Sequence, residues 1–143
     1  MSENTVALLV DDEPRTVKGI YSILKKQKGE NLDGCCEPLD NRWHIIKKIP
    51  RLRRVSVLPW ADLGDMAEKL EDKYIYSMKP NPAELAVSTL DEDDIRKKLR
   101  KAMEITKGCR LEIIMKDNHT LGNNPQNAIR WCQIAQEEAE RVM

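Results

Sequence analysis

The sequence predicts an α/β protein whose strands lie in one parallel sheet. Two observations carry that expectation. Short apolar runs alternate with amphipathic stretches about five times along the chain, and each run ends in polar or proline-rich residues, as strands do where they leave a parallel sheet. Val6 to Val10 is the first run, bounded by Asp11-Asp12-Glu13-Pro14. A helix follows from about Pro14 to Lys28, with Val17, Ile20, Tyr21 and Leu24 on one face and Gly29 at its stop. Leu32 to Cys36 is a second, weaker strand, and the next helix carries Trp43, Ile45, Ile46 and Ile49 before Pro50. Arg54 to Leu58 is the third strand, after which Asp62 is positioned to cap a helix that buries Leu63, Met66, Ala67 and Leu70.

Tyr74 to Met78 is the fourth strand. Asp91 opens a helix with acids in its first turn, a stripe of Ile95, Leu99, Ala102 and Ile105, and Gly108 past its end. Leu111 to Met115 is the fifth strand. Asn124-Pro125 then opens a last helix with Ala128, Trp131, Cys132, Ala135 and Ala139 on one side, which places Cys132 in the core. Right-handed crossovers between parallel strands build either an open doubly wound sheet or part of a barrel, and periodicity leaves both open.

A length of 143 residues suits a single domain, residues 1–143, with Gly29 to Gly34 as a turn-rich seam. The 24 basic and 24 acidic residues are interspersed and cancel, so neither nucleic acid nor an anionic membrane surface is an expected partner. With 34% charged residues, a mean hydropathy of −0.60 and no apolar run near the ~20 residues of a membrane span, the chain reads as cytoplasmic. In that reducing compartment its four cysteines point to metal ligation, catalysis or burial rather than disulfides, and adjacent Cys35 and Cys36 do not make a CxxC redox pair. Phe is absent, so Ile, Leu, Val, Met and Ala must build the core.

Chemistry-bearing residues gather where strands are expected to end. Cys35 and Cys109 are either metal-binding thiolates or small, half-buried packing residues. Both follow glycine, and both are expected at the carboxyl ends of their strands, near each other. Glu37 and His119 make the best catalytic pair, because a carboxylate and an imidazole on neighbouring strand ends come within proton-transfer reach. The plainer alternatives are that His119 caps a turn and Glu37 charges a helix start. Lys79 is placed to meet an anionic substrate group, Trp60 to wall a pocket and Asn81 to hydrogen-bond a ligand, with Cys36 and Asp117 completing the substrate-binding set. His44, beside Trp43, reads as structural or surface.

From Gly34 onward, the motifs GCCEP, RVSVLPWAD, YIYSMKPNPAEL, GCRLEIIMKDNHT and NPQNAIRW resemble the C-terminal part of uroporphyrinogen decarboxylase-like proteins. The resemblance implies about the last four strands of an (α/β)8 TIM barrel, hence half a barrel, and either decarboxylation or zinc-dependent methyl transfer from a corrinoid protein, with activity lost if the half-barrel cannot work alone. It implies a small-molecule substrate or a corrinoid protein as partner, and a homodimer as one way to complete the barrel. In the methyltransferase branch a His-x-Cys and a later Cys hold zinc. Cys35 and Cys109 match the cysteines, while Asp33 stands at the histidine position, so that Asp33, Cys36 or His119 would be the third ligand.

Residues 1–33 lie outside that resemblance. Ala7-Leu8-Leu9-Val10-Asp11-Asp12-Glu13-Pro14 resembles the first strand of a response-regulator receiver, whose paired acids bind a divalent ion. That resemblance implies an open flavodoxin-like sheet and, as the alternative function, a signalling or interaction module without enzymatic activity. The third strand, however, ends in Leu58-Pro59-Trp60 where a receiver has its phosphoacceptor Asp.

Overall fold

The structure, a computed structural model, describes residues 38–142, together with the backbone of residues 6–8 and 31–33. The strands are β1 (Val6–Leu8), β2 (Asn31–Asp33), β3 (Leu52–Val57), β4 (Ile75–Met78) and β5 (Arg110–Ile113). The helices are α1 (Trp43–Ile46), α2 (Leu63–Leu70), α3 (Glu92–Ile105) and α4 (Gln126–Glu140). The chain is therefore α/β with an open parallel sheet, in the order β1-β2-β3-β4-β5. That order corrects the flavodoxin-like alternative, in which the first strand lies between the second and third. Here each strand lies beside the one before it in sequence, and crossovers of one hand then lay the described helices on one face.

The strand sequences show which face that is. Register aligns Val55 with Tyr76 and Leu111, and Val57 with Met78 and Ile113, so these six side chains share one side of the sheet. Val55, Val57, Tyr76 and Met78 join a single core with Ile46 of α1, Met66 and Leu70 of α2, Ile95 and Leu99 of α3, and Trp131 and Ile134 of α4. Burying each such Leu, Ile or Met contributes roughly 1.5–3 kcal/mol. Tyr76 is fully buried, and its hydroxyl donates to Leu63 O at 3.1 Å, which satisfies the one polar atom that the ring carries inside.

Each helix begins and ends for local reasons. Asp62 accepts from the Asp65 amide at 2.9 Å and Asp91 from the Asp94 amide at 3.0 Å, so both expected caps form. α2 stops at Glu71 in the left-handed region (φ +47°), and the turn after α3 passes through Gly108 (φ +95°). On α4 the buried residues are Asn127, Trp131, Ile134 and Glu138. Cys132, expected in the core, is exposed: the buried stripe runs along the i, i+4, i+7, i+11 row from Asn127, and Cys132 lies one residue beyond it.

Two polar clasps fix the helical layer. Glu138 is buried, accepting from Arg96 Nη1 at 2.8 Å and from Arg100 Nε and Nη2 at 2.6 and 2.9 Å, and those hydrogen bonds hold its carboxyl down at about 2. Arg130 closes the same α3–α4 seam on Glu92 at 2.6 Å. The second clasp is the buried amide of Asn127, whose Nδ2 reaches Leu85 O, Val87 O and Leu121 O at 3.3, 2.6 and 3.2 Å. Beside it Gly122 (φ +63°) comes so close to Val87 that a Cβ would lie 1.9 Å from the Val87 carbonyl oxygen. Among the described residues, no helix is long and apolar enough to cross a membrane.

Candidate functional site

The opposite face of the sheet is polar. Ser56 of β3, Ser77 of β4 and Glu112 of β5 stand side by side in register, with Arg54 one step earlier on β3 in the same phase. Strands covered on both faces read as near-continuous apolar runs. These carry a hydroxyl or a charge at alternate positions, which marks the second face as something other than core.

Glu112 organises that face. Its Oε1 accepts from Ser77 Oγ at 2.6 Å and its Oε2 from Arg54 Nη2 at 2.7 Å, so both carboxylate oxygens are engaged. Ser77 is fully buried and Ser56 nearly so. Arg54 Nε is shielded from solvent without a hydrogen-bond partner among the described residues, which leaves a guanidinium donor unspent beside the carboxylate.

Lys79 follows β4 and is half-buried, with its amide donating to Val57 O at 2.8 Å. Burial lowers its pKa from the usual lysine value; Glu112 and Asp117 oppose that shift and Arg54 adds to it. Lys79 and Asp117 follow the last residues of β4 and β5, at the rim where parallel α/β proteins bind ligands, while Arg54 stands in the row of Ile75 and Arg110, where those two strands begin, and reaches Glu112 from there. On the same rim the ammonium of Lys116 lies 5.6 Å from the ring centroid of Trp60. Trp60 is 54% exposed, so it offers an open ring surface rather than the wall of a closed pocket.

The other residues singled out from sequence fall as follows. Cys35, Cys36 and Glu37, like Asp11 and Asp12, lie outside the described residues. His119 and Asp117 are exposed on the segment after β5, and Asn81 is exposed and spends its Oδ1 on the Ala83 amide at 3.0 Å, capping a short 3-10 turn. His44 is exposed, as its surface reading expected.

Cys109 requires a correction. It precedes β5 instead of ending it, so it sits at the amino-terminal rim, with Sγ 3.7 Å from Ala67 O. Burial pushes its thiol pKa up. The reason is local: the helix stop at Gly108 leaves only Cys109 before the strand begins. Cys109 therefore does not fit a zinc site built from ligands at the carboxyl ends of the strands. Among the described residues, no three His, Cys, Asp or Glu side chains stand together as a metal would need.

Sequence reasoning missed Arg54, Ser77 and Glu112, although a signal for them existed. LRRVSV, IYSM and RLEI each carry a polar residue in the same alternating phase. Fold and site together define an α/β protein with helices over one face of a parallel sheet and a charged cluster on the other. In comparisons with protein-family models, curated proteins and solved structures, nothing matches the chain.

Proposed function

We propose that this chain binds a carboxylate-bearing small molecule through Arg54 and Lys79, in the manner of a uroporphyrinogen decarboxylase-like half-barrel. The observation that carries the reading is the Arg54–Glu112 pair on the polar face, with Lys79 following β4 at the carboxyl rim, on strands that follow one another in sequential order. Sequential order with helices on one face is the arrangement of a barrel segment, and the polar face then corresponds to a barrel interior. The strands needed to close such a barrel would come from a second copy of the chain, since the sheet is open at β1 and β5.

The chemistry follows from the charges. A substrate carboxylate would compete with Glu112 for Arg54, taking a bidentate grip that the unspent Nε favours. In decarboxylation the C–C bond to that carboxylate breaks, carbon dioxide leaves, and the electron pair stays on the former α-carbon, which then takes a proton. Lys79 supplies that proton, because an ammonium whose pKa is lowered by burial gives up its proton more readily than a solvated lysine. Methyl transfer by zinc is the less favoured branch, since Cys109 stands on the other rim. The receiver alternative is disfavoured by the strand order.

Equilibrium dialysis against uroporphyrin, with the octaethyl ester as the uncharged control, tests the reading. The acid is expected to bind and the ester not, with at least about a tenfold loss in Arg54→Met and in Lys79→Met. Equal retention of acid and ester, or wild-type affinity in both variants, would remove the proposal.

A further inference from the structure

On the helical side of the sheet a cleft of about 300 Å³ opens at the ends of β3 and β4. Its apolar walls are Pro59, Leu63, Met78, Leu99 and Ala102, contributed by two strand ends and two helices. That volume sits at the lower end of small-ligand sites, roughly 300–1,000 Å³, and the carboxyl end of a parallel sheet is where such sites recur.

The rim carries the charge. Lys98 is already committed, to Asp94 at 2.5 Å and Glu84 at 3.6 Å. Glu84 is quieted as well, since its other oxygen accepts from the Trp131 indole at 3.1 Å. Lys101 borders the cleft, is exposed, and makes no ion pair among the described residues. An apolar trough ending at an uncommitted ammonium matches an amphipathic anion: the hydrocarbon is desolvated against Met78 and Leu99 while the head group meets Lys101 in partly excluded water.

We infer that this cleft binds a small monocarboxylate with an apolar body, its carboxylate on Lys101 and its hydrocarbon between β4 and α3. Neither Arg54 nor Glu112 lines the cleft, although Lys79 borders it as well.

Amide chemical-shift titration with octanoate, alongside octanol, tests the inference. Octanoate is expected to shift the amides of Met78, Leu99 and Lys101, octanol to bind about tenfold more weakly, and Lys101→Met to bring octanoate down to the level of octanol. Arg54→Met is expected to leave octanoate binding unchanged, which keeps this outcome apart from that at the polar face. Absence of shifts at millimolar octanoate, equal binding of acid and alcohol, or an unaffected Lys101→Met would each overturn the inference.

Discussion

The two faces of one sheet were built from the same three strands and came out chemically opposite. On the helical face Val55, Tyr76 and Leu111 align across β3, β4 and β5, one row of a core that four helices share. On the other, Ser56, Ser77 and Glu112 align one residue later, and the stabilising contacts are hydrogen bonds and an ion pair. The difference separates stability from chemistry. A single apolar face suffices to hold the layer of helices, which frees the other to keep charges that a second core would have excluded.

The largest effect that would sharpen this contrast comes from Tyr76→Ala. Removing a fully buried ring should cost about 3–5 kcal/mol, read as a lower urea midpoint. A loss below about 1 kcal/mol would show that the helical face is not the principal core.

Glu112→Gln on the polar face should cost only about 1 kcal/mol, because the Arg54–Glu112 pair is a quarter to a third exposed, with side-chain accessibilities of 32% and 25%. Its clearer consequence is electrostatic. Glu112 opposes the lowering of the Lys79 pKa, so neutralising it should move the Lys79 titration, followed by NMR, to still lower pH. A rise instead would break the link between the two groups.

The smallest effect is a slope. In the folded chain Glu138 stays ionised down to about 2, while in the unfolded chain it takes its proton near the ordinary value of 4.5. Between those values the unfolded state binds the extra proton. Its contribution to stability is therefore complete above about 4.5 and is lost as the pH falls toward 2. Glu138→Gln should flatten the acid limb of a stability–pH profile by that contribution, and an identical limb would assign acid sensitivity elsewhere.

Much of the fold was legible. The strands at β3, β4 and β5 and the caps Asp62 and Asp91 follow from apolar runs and side-chain oxygens placed before a helix. Strand order was not legible, since local pattern does not record which neighbour a strand chooses. Lys79 was singled out because it follows a strand and precedes Pro80. Arg54, Ser77 and Glu112 were not, because their significance lies in the lateral register of three segments far apart in sequence. Cys109 was misplaced by a shift of one position: read as part of a strand-end motif, it belongs to the turn that enters the strand.

The Asn127 amide and the Gly122 approach join the segment after β4 to the segment after β5, and both to the start of α4. A protease seeking a foothold would meet three stretches of irregular chain that share one buried knot. None of them offers a loop that can peel away alone, so nicking there demands a concerted opening of all three, at a rate set by that shared event rather than by the exposure of any single bond.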